Sequence, residues 1–368
     1  MQLALMVKLQ PTLEQFSALL ETMERFNAAC NNIADVAFRE RTANKIRLQK
    51  LIYYNIRAHF GLPAQMTVRA ISKVAEAYKR DRSKRPSFRP HGAIVYDQRV
   101  LSWKGPDRVS ILTLHGRQLI PVIFGGYQAA RLKHIRGQCD LIYRDGVFYL
   151  AVTVDLPEPP LLEATNVLGV DLGIVNIAAD SDGAIYSGGQ VNGLRKRHAK
   201  LRTRLQARGT KSAKHLLKKR SRKESRFARD VNHCISKRLV AKAQCTKRAI
   251  ALEDLQGIRS RTKVRRPQRR QQHSWSFHQL RSFIGYKAAL AGVPVLIVDP
   301  HNTSRHCSAC GHVSPANRKS QALFSCVFCG LAGPADTIAA ENIRVLGRAL
   351  INVPYVSPQR GAGTSSRL

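Results

Sequence analysis

The 368-residue sequence predicts a mixed α/β chain with helices and a small β-barrel in its N-terminal part, and carboxylate-bearing strands and helices after it. A cysteine module interrupts the second part near its end. Three observations carry this reading. From about 93 to 155 the hydrophobic period is two, in segments broken by Gly and Asp-Gly turns. Beyond PEPP at 157–160, short apolar runs such as VLGVDLG and KRAIALEDL have the length of buried strands. Two tight cysteine pairs then precede a last helical stretch.

Taken in order, residues 2–9 (QLALMVKL) read as a strand. Pro11 and Thr12 open a helix, with Gln15 completing a capping box. Leu13, Phe16, Leu20, Met23 and Ile33 keep helical spacing to about 40, and Val68, Ile71, Val74 and Tyr78 mark a second helix from about 67 to 80. KRDRSKRPSFRPHG (79–92) is basic and proline-punctuated, and reads as a loop that meets phosphates. IVYDQRVLSW, RVSILTLHG, RQLIPVIFG, QCDLIYRDG and VFYLAVTVDL follow as strands of a barrel or sandwich. PEPP marks a domain boundary.

VLGVDLG (167–173) is the next buried strand, followed by an SDG turn (181–183) and a further short strand. Residues 195–229 hold sixteen Lys/Arg and one acid, and read as a helical hairpin with a cationic face. Solvated charge runs normally mix signs, so single-sign density favours a polyanion backbone. KRAIALEDL (247–255) is a strand, 259–272 a basic loop, and a helix runs to about 291. The strand VPVLIVD (293–299), the cysteine region and a helix over 335–350 complete the chain before the tail GAGTSSRL.

Charge narrows the function. Lys+Arg number 61 against 24 Asp+Glu, a formal net charge of +37. Self-repulsion of that size destabilises a compact state unless a polyanion neutralises it, and phosphate backbones gain affinity by releasing counterions. Nucleic acid is the expected partner. No transmembrane run or amphipathic anchor is visible, so no membrane partner is expected. MQLALMVKLQPT has neither the basic start nor the apolar stretch of a signal peptide, and a cytoplasmic location is expected.

Cys307-x2-Cys310 and Cys326-x2-Cys329 have the spacing of paired metal knuckles, with Gly311 and Gly330 directly after them. Four thiolates fill a tetrahedral Zn2+ shell, which makes the expected role structural. His306 and His312 lie nearby and are not needed. Cys30, Cys139, Cys234 and Cys245 stand apart, so the clustering favours metal over a disulfide framework.

Asp171 lies inside an apolar strand, Glu253 ends another, and Asp336 starts the last helix, where the helix dipole favours an anion. Burying such a carboxylate is costly unless it is paired or binds metal. Each alone has a structural reading as a turn cap or first-turn residue. Together they are strand, strand and helix carboxylates in an order resembling an RNase H-like sheet. Three oxygen donors suit two Mg2+ ions, which could activate water on one side of a phosphodiester and stabilise the leaving oxygen on the other. Asp254 and Asp299 compete for these positions, because only one of Glu253 and Asp254 can face the site.

LGVDLG, IALEDL, NTSRHCSACG…FSCVFCG and ADTIAAENI resemble, in order and spacing, the TnpB/OrfB proteins of bacterial transposons, relatives of type V CRISPR effector nucleases. The likeness is good from about 167 to 350 and extends to DVNHCISKRLV and SWSFHQLRSFIGYKAALAGVPV. It implies an RNase H-like (RuvC-type) α/β domain with an inserted zinc ribbon, plus a wedge β-barrel carrying a helical recognition lobe. The expected boundaries are a first wedge strand at 1–10, the recognition lobe at 11–92 and the wedge at 93–160. The RuvC-like domain would occupy 161–300 with its basic hairpin at 195–245, then the zinc ribbon 301–333, a C-terminal helix 334–352 and a disordered tail 353–368.

The resemblance also implies a guide RNA from the element's end, double-stranded target DNA with a short adjacent motif, and cleavage at one site. The sequence leaves the oligomeric state open, with a slight lean to a monomer. Asp171 would bridge two Mg2+ ions (Mn2+ as a substitute), with Glu253 and Asp336 holding one each, and the ribbon would help position a substrate strand. Two departures from the family's final motif stand out. Ile338 replaces an Asn in Asp-x-Asn-Ala-Ala-x-Asn-Ile, and Pro334-Ala335 replaces a frequent Asp-Arg. Neither removes a carboxylate. Three other readings compete: a guided DNA-binding protein or repressor that does not cut, a type V CRISPR effector, and a guide-independent enzyme acting on branched DNA.

Overall fold

A computed structural model describes residues 1–105, 107–220, 222–255 and 277–351. The chain divides into two compact units, Met1–Pro157 and Glu158–Leu368. Among the described residues no helix is long and apolar enough to cross a membrane.

In the first unit β1 (Gln2–Leu9) lies in the middle of a seven-stranded antiparallel sheet. It is flanked by β7 (Val147–Asp155) and β5 (Gly116–Ile123). The strand order is β2-β6-β7-β1-β5-β4-β3, with β2 (Ile94–Tyr96), β3 (Leu101–Trp103), β4 (Arg108–Thr113) and β6 (Ile135–Arg144). The two edge strands are consecutive in the chain, so the sheet curls until it is nearly closed. IVYDQRVLSW is therefore two short strands rather than one. Asp97 turns the chain between them by accepting from the Arg99 amide (3.0 Å), while Arg69 Nε donates to its carboxylate at 2.7 Å.

Between β1 and β2 run α1 (Leu13–Arg39), α2 (Lys45–Phe60) and α3 (Ala64–Arg80). The Thr12–Gln15 capping box of α1 is present. The sequence reading did not include α2, although Asn44 caps it and Leu48, Ile52 and Ile56 form its buried stripe. It also missed α4 (Gly126–Leu132), which has no buried residue to give it a period. Loop 81–92 is irregular but anchored: Asn31 both donates to and accepts from the Phe88 backbone, and Asn27 donates to the carbonyls of Pro90 and Gly92.

In the second unit the five-stranded sheet has the order β10-β9-β8-β11-β12. Strands β8 (Asn166–Asp171), β9 (Asn176–Asp180) and β10 (Ile185–Ser187) are antiparallel neighbours. β11 (Arg248–Glu253) and β12 (Val295–Val298) continue it in parallel with β8. The cationic stretch is three helices, α5 (Gly189–Arg208), α6 (Lys211–Arg220) and α7 (Lys223–Cys245), not a hairpin. Gly209 in the left-handed region (φ +64°) ends α5, and the Thr210 hydroxyl accepts from the Ala213 amide to start α6. Helices α8 (Phe277–Ala291) and α9 (Ala335–Ile351) complete the unit. The expected basic loop 259–272, residues 274–276 and the tail 353–368 lie outside the described residues.

Candidate functional site

Strand alternation decides where the carboxylates go. Leu168, Val170, Ile250 and Leu252 face α7 and α8, in one core with Leu239 and Ile284. Val167, Ala249 and Ala251 face the other way and pack with Ile343 of α9. Gly169 lies on this second face, where a Cβ would stand 2.0 Å from the Ala340 carbonyl oxygen, so the α9 backbone rests directly on the strand. The last registered pair of β8 and β11 is Val170 with Leu252. One residue further come Asp171 and Glu253, both of the α9 parity, and Asp336 is in the first turn of α9. Asp254 has the opposite parity and accepts from Arg281 of α8 at 2.8 Å. Asp299 accepts from the His301 amide as a turn cap. Of the competing acids, Glu253 is the one turned toward Asp171.

The resulting cluster is electrostatically strained. Burial first, then Glu253 and Asp336, push the Asp171 carboxyl up to about 8, partly offset by Arg318. Burial also raises Glu253, against the lowering effect of the Thr303 hydroxyl that donates to it and of Arg318. Asp336 is held through both oxygens, by Asn176 Nδ2 at 2.8 Å and by an Arg318 guanidinium nitrogen at 3.4 Å. The donors are oxygens only, one guanidinium faces three acids, and the site repels itself without further positive charge. Such a set fits hard divalent cations. The three do not share one compact coordination sphere: among the described residues only the four cysteines form a group whose ligand atoms all lie within 4.8 Å of one another. A pair of ions spans more than one sphere.

The cysteine module lies between β12 and α9. Cys307 Sγ is 3.5 Å from Cys329 Sγ, and Cys310 Sγ is 3.6 Å from Cys326 Sγ. Both knuckles turn alike. The Gly311 amide donates to the Cys307 carbonyl and that of Gly330 to the Cys326 carbonyl, with both glycines in the left-handed region (φ +76° and +75°). Backbone amides of Cys329 and Phe328 donate to Cys326 Sγ and lower its thiol to about 6. Four converging sulfurs with amide donors fit a tetrahedral thiophilic ion such as Zn2+. His306 is used elsewhere, its Nδ1 lying 3.2 Å from Asn342 Oδ1.

Comparison with known proteins gives two family matches. Residues 149–258 match the family described as "Probable transposase", OrfB_IS605, and residues 277–343 match "Cas12f1-like, TNB domain". The chain is 31% identical over 245 residues to the CRISPR-associated endodeoxyribonuclease Cas12f1 of Sulfoacidibacillus thermotolerans, covering 61% of this chain and 55% of that one. It is 37% identical over 131 residues to a TnpB-like protein of Methanocaldococcus jannaschii, covering 35% of this chain and 46% of that one. The chain is related to the TnpB/OrfB proteins. The putative RNA-guided DNA endonuclease InsQ of Escherichia coli aligns over 89% of both chains at 24% identity. The solved structure of the mini-RNA-guided endonuclease CRISPR-Cas_phi3 shares the fold, with a TM-score of 0.58 at 10% identity over 95% of this chain and 92% of that one. The chain spans about half the length of the first curated relatives it matches, 55% and 43%.

The departures from the TnpB/OrfB motif have a packing reason. Ile338 and Ala335 join Cys307, Phe324 and Cys326 in one small core beneath the knuckles. Pro334 pairs with Leu323 in the ribbon hairpin. Sequence reasoning missed Asn176, Thr303 and Arg318 as partners of the carboxylates. The only signal was that Thr303 falls within the matched segment NTSRHCSACG: Thr303 and Arg318 lie in loops, which carry no period, and Asn176 is the first residue of the short strand β9.

Proposed function

We propose that the chain is a transposon-associated, RNA-guided DNA endonuclease that hydrolyses phosphodiesters at one acidic site. The observation that supports this is that Glu253 and Asp336 both act on the buried Asp171 carboxyl at one end of one sheet face and raise it, which calls for cations. The mixed sheet order and the helix covering it support an RNase H-like, RuvC-type domain, and the four cysteines support a zinc ribbon inserted before its last helix. The nearly closed sheet of the first unit serves as the wedge, and α1–α3, inserted between its first two strands, as the recognition lobe. Guide RNA and double-stranded DNA are the partners, with base pairing selecting the target and cationic helices α5–α7 gripping backbones.

Asp171, Glu253 and Asp336 would hold two Mg2+ ions, with Mn2+ as a substitute. When bound, these ions supply an activated water and stabilise charge on the leaving oxygen. The protein's own contribution is positioning. Thr303 fixes the Glu253 carboxylate by donating to it, and Asn176 and Arg318 orient Asp336. Arg318, which faces all three acids, would be placed to meet a phosphate oxygen.

The test is to sequence the RNA that copurifies, then supply matching DNA and Mg2+. Wild type is expected to cut, and Asp171→Ala to bind without cutting. Cutting by Asp171→Ala would overturn the site. Target binding without cutting by wild type would favour a guided repressor instead.

A further inference from the structure

The first unit has a second feature that the nuclease chemistry does not use. Where its sheet stops short of closing there is a cavity of about 370 Å³, lined by Tyr96, Ser102, Trp103, Lys133 and Gly137 among others. Its cause is visible in the strand pairing. β2 has only three residues and pairs with β6 at Cys139–Leu141 alone. β6 shifts register between Ile135 and Cys139, and β3 is a terminal strand of the sheet. The cavity therefore opens between an unpaired strand edge and the bulged start of β6.

Its wall includes the Trp103 ring. Trp103 Nε1 is shielded from solvent and has no hydrogen-bond partner among the described residues. The surrounding wall is firm, because Asp97 is tied to Arg69 and Gln65 of α3. Gln98, also lining the cavity, is exposed and offers both a donor and an acceptor. Lys133 at the margin and Lys104, next to Trp103 in the chain, are exposed cations.

We infer that this cavity holds one unstacked nucleobase of a bound strand, lying against Trp103. An aromatic face, an adaptable amide and nearby ammonium groups are what a flipped-out base and its phosphate need. Ligand-binding clefts run from about 300 to 1,000 Å³. The strand is the guide RNA or the DNA of the proposed function, on which this inference rests.

Trp103 can be watched directly, because the chain's only other tryptophan is Trp275. The full chain carrying Trp275→Phe is titrated with short single-stranded RNA, the same strand as DNA, fully abasic versions of each, and nucleoside monophosphates. Binding is read from anisotropy of an end-labelled strand and occupancy from Trp103 emission. Base-bearing strands are expected to bind and to quench Trp103, while abasic strands bind without quenching. RNA quenching more than DNA, or the reverse, identifies the strand. Gln98→Ala, at an exposed position, is expected to weaken base-bearing strands about five- to tenfold more than abasic ones, and Lys133→Ala to weaken both alike. Equal Trp103 emission with base-bearing and abasic strands would overturn the inference while leaving the nucleic-acid reading intact. Quenching by monophosphates but not by strands would replace the strand base with a free nucleotide. If no strand binds, the proposed function fails and the inference with it.

Discussion

Asn342 donates its side-chain amide to the carbonyl oxygen of Thr303 at 2.8 Å, and the Thr303 hydroxyl donates onward to Glu253. A second Asn342 bond reaches the His306 carbonyl, also at 2.8 Å. The helix that carries Asp336 thereby fixes the loop that orients Glu253.

Thr303→Val removes that hydroxyl while keeping the shape. Glu253 loses the donor that favours its ionised form, and its affinity for a divalent ion should fall roughly 10- to 100-fold, as for other supporting contacts around metal ligands. Cleavage measured against Mn2+ concentration should shift to higher metal, and Thr303→Ser should restore it. An unchanged metal dependence would remove Thr303 from the site.

The contact between α9 and β8 sets the second expectation. A Cβ on Gly169 would meet the Ala340 oxygen at 2.0 Å and the Arg344 nitrogen at 2.5 Å, both backbone atoms that cannot swing aside. Gly169→Ala should cost more than about 3 kcal/mol or prevent folding. Gly193, inside α5 with nothing within 4 Å of its would-be Cβ, is the control. Gly193→Ala should add about 0.5–1 kcal/mol. Urea midpoints of the two variants moving the same way would contradict this packing.

Much of this arrangement was legible and some was not, for identifiable reasons. Thr12 and Gln15 announce α1 because capping is local chemistry. The Asn44 cap and the Leu48, Ile52, Ile56 stripe of α2 were equally local and were simply not read. The choice between Glu253 and Asp254 could not be made, because parity has meaning only once one knows that α9 covers the face bearing Gly169. Thr303 and Arg318 act from loops and reach their partners across long chain separations, which no period records.

Acid should loosen the turn that follows β9. Lys242 Nζ lies 2.7 Å from Asp180 and 2.9 Å from Asp182, and Arg248 donates to both Asp182 oxygens at 2.8 and 2.6 Å. Asp182 is held below the usual carboxylate range, chiefly by the Arg248 hydrogen bonds. A depressed acid contributes stability that is present above its unfolded value of about 4 and is lost as pH falls through and below it. The wild type should therefore lose more of its urea midpoint between neutral pH and pH ~3 than Asp182→Asn does. Parallel loss in the two proteins would show the network to be indifferent.

Removing the thiophilic metal should reach the acidic site through packing. Cys307 and Cys326 share a small core with Ala335 and Ile338, which flank Asp336 on α9. Stripping Zn2+ with a chelator leaves four sulfurs that cannot all remain ionised: the His312 amide lowers the Cys310 thiol, but burial and the neighbouring thiols together raise it to about 12. The knuckles then loosen, and with them the start of α9. One zinc per chain should be released. Amide exchange should speed up in the first turn of α9, while β8 and β11, buried between helices, stay protected. Cleavage should fall and should not return when Mg2+ alone is added back. If exchange in α9 is unchanged after zinc release, the ribbon holds itself and not the carboxylate beside it.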